Sequence, residues 1–556
     1  MLQEKNIMRI NQNNLIKIVT FFLFSIFFIV GLFTFRDYGM SVDEEFHRAS
    51  GFYWLNYILS FTTFENLKYY VEELLNAPRG YTVPKVETNL PYGVVFDLPM
   101  AFFEAVLKIN ETKNYYYFRH FINFFLFFIS SVYFFKILLK RFSSYQIPLI
   151  GTLFYILSPR IYGDSFYNNK DVIFLSLLVI AIYYCFKFFD KNNIKNILLF
   201  SLFAGLCTAS RVVGVFLIFS FIIFYLINLS NEKDKFYSMK LLTICILSYI
   251  VFTIIFWPYL WENPFKNFLL GFNFFSTHYL KIKMLFNGEF IRSDNLPYIY
   301  IFQWVFITTP ILYLVLFFIG YFKTFKKFFS NIEDIEKQKL VFSFWKNKNE
   351  KKDLFILFNI SAILFYLIMF KAVLYNGWRH VYFINIFLVY LATVGLDQID
   401  YYLKSKIKIK IHYLVTLLFL GFMVVKMITI HPFQSLYFNK IVSISHEKYE
   451  IDYWGISGKK FLDEILVKEK DKEKIIIGVA AFLPLERSLA LFDENIKSKF
   501  KIVGQDYQDA DYIFTNFITD VGKYKKNKYQ IPDNFFSVEE FFVDGIKIYE
   551  VYKKSN

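Results

Sequence analysis

The sequence has only three cysteines in 556 residues, and Cys185, Cys207 and Cys245 each lie inside an apolar run. That excludes a disulfide framework and a cysteine-based zinc site. Charge is scarce as well: Asp, Glu, Lys and Arg make up 20% of the chain, against 56% hydrophobic residues. Disordered, collagen-like and ordinary water-soluble chains do not have this composition. No cleavable leader is expected, because the first apolar run, Leu15 to Phe35, is too long for a leader core and lacks a small-residue cleavage pattern. It is expected to stay as a first span. What the chain has in excess is aromatic, with 75 Phe and 42 Tyr in an aromatic share of 22%. So much apolar bulk is accommodated only if much of it faces lipid, which makes this a polytopic α-helical membrane protein.

At about 20 residues per span, with shorter ones tolerated when buried, about eleven runs qualify. They are Leu15 to Phe35, Phe118 to Leu139, Tyr145 to Leu157, Val172 to Phe189, Ile197 to Thr208, Val212 to Leu229, Leu241 to Phe256, Tyr298 to Tyr321, Leu354 to Phe370, Val381 to Leu396 and Tyr413 to Ile430. The net charge of +15 is gathered in short tracts between these runs, so it is read as membrane orientation and contact with anionic lipid headgroups; no nucleic acid is expected as partner. With Lys5 and Arg9 in the cytoplasm, the tracts Lys136 to Arg141, Lys191 to Lys195, Lys233 to Lys240, Lys323 to Lys352 and Lys404 to Lys410 fall on the same side. An odd number of spans then puts the C-terminus outside.

The expected division is a transmembrane part, residues 1–440, with outer loops 36–117 and 257–297, and an extracytoplasmic α/β domain, residues 441–556. In the outer loops Phe52 to Phe61 and Val94 to Leu107 have the pattern of amphipathic interfacial segments. In the tail, Phe461, Leu462, Ile465 and Leu466 have helical spacing, Lys474 to Val479 and Tyr512 to Thr515 read as buried strands, and Asp544-Gly545 marks a hairpin turn. No internal repeat is visible.

Acids near mid-span would point to a transporter, but the spans are almost free of them. The charges of interest stand at outer helix ends. Ser41-Val42-Asp43-Glu44-Glu45-Phe46-His47 follows the first span. Ser41 and Glu44 form a capping box at a helix start, which leaves Asp43 free as a general base for a hydroxyl acceptor. The loop Ser158-Pro159-Arg160 to Asn168-Asn169-Lys170-Asp171 places Arg160 and Lys170 where the positive-inside rule disfavours them. A solvated turn capping the next helix explains its Asn and Asp; an anionic ligand such as a lipid phosphate explains the cations. Arg211 and Arg379 repeat the theme. Singly each reads as an interfacial anchor, together as a cationic ring around one outer pocket. His47, His120 and His380 read as interfacial hydrogen-bonding residues. Without an HExxH or a close histidine pair, neither a divalent metal nor any other cofactor is expected.

These pieces, in this order, resemble a known family. The Asp-Glu pair after the first span, the Ser-Pro-Arg…Phe-Tyr-Asn…Lys-Asp loop, Ala209-Ser210-Arg211, Gly288-Glu289-Phe290…Leu296-Pro297-Tyr298 ahead of Thr308-Thr309-Pro310, and Gly377-Trp378-Arg379-His380 are similar to membrane glycosyltransferases of the GT-C superfamily, of the dolichyl-phosphate-mannose protein mannosyltransferase-like and aminoarabinose-transferase-like kind. His431-Pro432-Phe433-Gln434…Tyr437-Phe438-Asn439 and Asp452-Tyr453-Trp454-Gly455 extend the resemblance toward bacterial members as far as Gly455.

The resemblance implies a polyprenyl-phosphate sugar donor, a lipid, glycan or protein acceptor outside a bacterial cytoplasmic membrane, and inversion at the anomeric carbon. It makes Asp43 the catalytic acid residue of the first loop, with Glu44 beside it. Lys170, Arg211, Arg160 and Arg379, in that order, are expected to hold the lipid phosphate, His47 and His380 to assist. Asp97, Asp164 and Asp171 are rival candidates for acceptor binding or a second acid. The loop 257–297 is too short for the extra lectin-like domain of eukaryotic protein mannosyltransferases, which weakens a protein acceptor. The rival reading in another class is a lipid or glycan flippase; a membrane sensor with a ligand-binding tail is third.

Overall fold

The computed structural model describes residues 2–76, 84–229, 234–277, 281–338, 344–404, 411–519 and 528–555, with backbone alone for 2–14, 334–338 and 404. Lys233, Lys406, Lys408 and Lys410 therefore lie outside the described residues, as do the side chains of Lys5, Arg9 and Lys404. Among the described residues eight helices are long and apolar enough to cross a membrane: Leu15–Thr34, Thr112–Arg141, Asp171–Asp190, Val212–Leu229, Lys235–Phe256, Lys348–Met369, Ile384–Leu403 and Ile411–Thr429. Their outward sides are apolar and bare, as at Phe21, Phe33, Leu418 and Ile428, which is the surface lipid requires. The protein is a multi-pass membrane protein.

The three remaining sequence candidates take other forms. Tyr145 to Leu157 is the short helix Gln146–Ile156, and Ile197 to Thr208 lengthens to Ile194–Ser210 because Asn193 caps its start by accepting the Asn196 N–H. Tyr298 to Tyr321 is broken into Tyr300–Thr308 and Ile311–Gln338. The break falls at Pro310, which has no N–H for a helical bond and bars the residue before it from helix. The outer segments fold as Glu44–Leu59, Glu65–Asn76 and Asp97–Val106 in one loop. The other holds Pro264–Thr277 and a hairpin of β1 (Lys283–Phe286) and β2 (Glu289–Arg292), which the sequence pattern did not announce.

One end of the bundle holds the basic tracts between the spans, and several of their charges are paired. Arg141 clasps Asp353 through two bonds of 2.7 Å, and Tyr390 donates to the same carboxylate at 2.9 Å. Asp190 takes Lys352 at 2.6 Å and Lys140 at 3.3 Å. At the opposite end stands the tail, whose helix Ser457–Lys468 precedes a sheet in the order β4-β3-β5-β7-β6. Its strands are β3 (Ile475–Val479), β4 (Phe500–Gly504), β5 (Tyr512–Thr515), β6 (Phe535–Val543) and β7 (Ile546–Lys554). β3 pairs parallel with β4 and β5, while β7 runs antiparallel to β5 and β6 around the Asp544-Gly545 turn. Polar clasps hold the sheet to the helix ends: Lys459 donates to the Arg36 carbonyl at 2.6 Å, and Asp544 accepts Lys440 at 2.8 Å.

Candidate active site

Between the first span and Glu44–Leu59 the chain turns sharply, and Glu44 closes the turn by accepting the Ser41 N–H at 2.6 Å with one oxygen and meeting His120 Nε2 at 2.9 Å with the other. This is half of the expected capping box. The Ser41 hydroxyl leaves it to donate to the Tyr167 carbonyl at 3.3 Å. Glu44 is thus fully engaged in shaping the loop, whereas Asp43 makes no cap bond and keeps 37% of its side chain exposed. Its Oδ2 accepts from Arg379 at 2.6 Å. Enclosure alone raises the pKa of this carboxyl, but the charge of Arg379, the His47 ring and Arg487 outweigh it and hold Asp43 below the usual carboxylate value.

Arg379 opens a short turn directly after Asn376 and Gly377, both in the left-handed region at φ 56° and 71°. Trp378 anchors that turn by donating to Thr308 Oγ1 at 2.9 Å. The guanidinium lies between the rings of Tyr375, at 5.0 Å, and Trp454, at 4.5 Å. Lys170 precedes the helix Asp171–Asp190; its ammonium donates to the Gly93 carbonyl and lies 5.4 Å from the Tyr92 ring. A Cβ on Gly93 would fall 1.8 Å from the Ala209 carbonyl, so only glycine lets this loop reach the end of Ile194–Ser210, where Arg211 follows. Arg211 pairs with Asp171. The Nε groups of both Arg211 and Arg379 are buried without a hydrogen-bond partner among the described residues.

His47 marks where these groups meet. One turn beyond Asp43, its imidazole is pushed down to about 3 by burial and then by Lys170, with Arg211 and Arg379 adding to the effect and Asp43 opposing it. The ring is therefore neutral at ordinary pH. Burial and the neighbouring Arg211 also pull the Lys170 ammonium below its usual value, against the attraction of Asp97. Residues from five distant stretches, around 43, 92, 170, 211 and 379, share one enclosed site.

The other expected residues are placed as follows. Asp97 is buried, accepts from Asn169 at 2.8 Å and from Arg119 at 3.3 Å, and lies 3.9 Å from His47. Asp171 is tied to Arg211 and accepts from Asn168 at 3.0 Å. Asp164 accepts from Tyr167 at 3.0 Å and from Asn168 and the Trp454 indole at 3.2 Å, and burial raises it to about 6. His380 packs on Tyr375 with ring centres 4.4 Å apart. Arg160 stands apart from the ring of cations. It is 1% exposed, donates to the Tyr437 carbonyl at 3.1 Å and lies over Phe438 and Trp304.

Sequence reasoning gave no role to Tyr92, Tyr375, Trp454, Glu450 and Arg487. Arg487 reaches Asp43 electrostatically from the tail. Glu450 is buried, which raises its carboxyl to about 8, against the Leu285 N–H and Arg379. No spacing rule announces a ring that will lie over a guanidinium across about 80 residues of chain. Among the described residues, no three His, Cys, Asp or Glu side chains gather as metal ligands.

Fold and site together define a multi-pass helical membrane protein with a cluster of charges enclosed at its helix ends, beneath a small mixed sheet. The model of the dolichyl-phosphate-mannose-protein mannosyltransferase family matches residues 112–258, the stretch that holds Arg160, Lys170 and Arg211. The resemblance to GT-C glycosyltransferases read from the motifs is borne out over that stretch. Two solved structures are similar at a distance: ArnT from Cupriavidus metallidurans bound to undecaprenyl phosphate, at 10% identity and a TM-score of 0.39, covering 78% of this chain and 87% of that one; and the apo state of the same protein, at 11% identity and 0.39, covering 79% and 86%. No curated protein matches the sequence.

Proposed function

We propose that this protein is an inverting membrane glycosyltransferase that moves a sugar from a polyprenyl-phosphate donor to an acceptor hydroxyl or phosphate on the outer face of a bacterial cytoplasmic membrane. The observation that carries the reading is the convergence of one exposed carboxylate, Asp43, with Lys170, Arg211 and Arg379 in a single enclosed site. The match of residues 112–258 to a family described by a dolichyl-phosphate-mannose donor supports the same class. The lysine-rich end faces the cytoplasm in this reading, by the positive-inside rule, and residues 441–556 stand outside.

The reaction needs few parts. The acceptor oxygen bonds to the anomeric carbon as the bond from that carbon to the phosphate oxygen breaks, and the acceptor proton passes to Asp43. The leaving lipid phosphate goes from about one negative charge toward two, so cations fixed in place beforehand favour the transition state over the ground state. Arg211 and Arg379 have buried Nε–H groups to offer it, and Lys170 an ammonium with two further N–H groups beside its bond to the Gly93 carbonyl. Asp43, held acidic by Arg379, is a weak base, which suits a proton that becomes acidic only as the acceptor bond forms. Glu44 shapes the loop and does not react. An apolar groove of about 560 Å³, running past Phe302, Phe306, Phe318 and Leu388, offers the polyprenyl chain a lateral seat.

The test incubates purified protein with a panel of labelled polyprenyl-phosphate sugars and membrane extracts and identifies what becomes labelled. Asp43→Asn is expected to bind donor and to transfer sugar at least about 100-fold more slowly. A flippase keeps working in that variant, so sugar transfer at the parental rate or lipid translocation by Asp43→Asn overturns the assignment.

A further inference from the structure

The segment that leads into the tail touches the loop carrying Asp43 at several points. The Trp454 carbonyl accepts the Val42 N–H at 3.1 Å, next to Asp43 in sequence. Gly39 presses so closely on the same segment that a Cβ there would fall 2.2 Å from the Ile456 carbonyl. The indole N–H of Trp454 donates to Asp164 Oδ2 at 3.2 Å, and Asp164 is itself fixed by Tyr167 and Asn168. The ring so tethered lies 4.5 Å from the Arg379 guanidinium, on which Asp43 depends for its strongest bond. Trp454 is 2% exposed and, with Met40 and Arg487, lines the seam between loop and tail.

We propose that Trp454 is a positioning residue: it fixes the Asp43 loop through its carbonyl and Arg379 through its ring, which makes the segment entering the tail a working part of the active site. The proposal rests on the reading of Asp43 as base. Its physical basis is that a guanidinium between two rings has its plane set and turns little, so its bond to a carboxylate is fixed in direction. With one ring removed, Arg379 is free to rotate about its long stem, and Asp43 loses both its alignment and part of the charge that keeps it acidic. The other groups facing Asp43 are His47, Arg211 and Arg487, with the phenols of Tyr92 and Tyr375. None of them is itself substituted in the variants below.

The test compares Trp454→Phe and Trp454→Leu with Asp43→Asn and the parent in full-length protein, using whichever labelled polyprenyl-phosphate sugar the parent turns over and undecaprenyl phosphate as a binding probe. Phe keeps a ring but loses the tether to Asp164; Leu loses both. The expected order is a kcat lowered about 3- to 10-fold in Phe and more than about 10-fold in Leu, each with probe affinity within about 3-fold of the parent. The acid limb of the kcat profile is expected to move to higher pH in both, because less of the Arg379 charge reaches Asp43. A purely structural tryptophan lowers the amount of folded protein and leaves that limb in place. Parental kcat and acid limb in folded Trp454→Phe overturn the inference, and this variant decides even where Leu does not fold. If Asp43→Asn transfers sugar at the parental rate, the base assignment fails; if it is slowed as expected while both Trp454 variants behave as the parent, only the role of Trp454 fails.

Discussion

The two ends of the helical bundle use the same residue types to opposite purpose. At the lysine-rich end, Arg141 gives two bonds to Asp353, and Lys352 and Lys140 share Asp190. Charge there is matched to charge and the cluster has nothing left to offer. At the other end Arg379 gives Asp43 one bond, and Arg211 and Arg379 keep buried Nε–H groups without partners. Burying a donor in that state costs roughly 1–3 kcal/mol, more for a charged group, and an anion in the proposed phosphate site would offset that cost. The comparison separates a cluster whose charges are matched from one that keeps buried donors without partners among the described residues.

Breaking the two clusters has different expected results. Asp43→Asn should lower turnover by about 100-fold or more while shifting the Tm in detergent little, because the asparagine keeps an oxygen that can accept the Arg379 bond. Asp353→Ala should do the reverse: it strands buried Arg141, for a loss of roughly 3–5 kcal/mol in thermal or denaturant unfolding, and leaves kcat and KM of the folded fraction unchanged. Arg211→Ala should weaken binding of undecaprenyl phosphate by about 10-fold, measured by competition with the labelled donor, as expected for a lost charge-assisted bond. Unchanged affinity would remove Arg211 from the phosphate site. Arg379→Gln sharpens the comparison through pH. Asp43 is held below the ordinary carboxylate value, so the base is fully ionised at neutral pH and activity falls only as pH drops through that lowered value. Without the Arg379 charge the value rises, and the acid limb of the pH profile should move up with it. The smallest effect is expected of Gly39→Ala, about 1–3 kcal/mol of overpacking against the Ile456 carbonyl, read as a lowered Tm.

Much of this arrangement was legible in the chain. Apolar length marked the long helices, and Asp544-Gly545 with its flanking runs marked the β6–β7 hairpin. Asp43, Lys170, Arg211 and Arg379 stood out because each is a charge at an apolar boundary. The break at Pro310 was legible in principle but masked by the apolar residues on both sides of it. The surroundings of Arg160 were not legible at all. Its neighbours, Tyr437, Phe438 and Trp304, come from two other segments, and nothing in Ser158-Pro159-Arg160 says which way the side chain turns.

Composition and order alone determined that this protein lies in a membrane, where its long apolar helices run, and which charges stand near their ends, because these properties depend on residues adjacent in sequence. The tertiary structure decided which of those charges meet. Whether an arginine is matched, as Arg141 is by Asp353, or left with a donor to offer, as Arg211 and Arg379 are, depends on the direction and distance of groups brought from hundreds of residues away. Coulomb and hydrogen-bond energies change steeply over the few ångströms that packing alone sets.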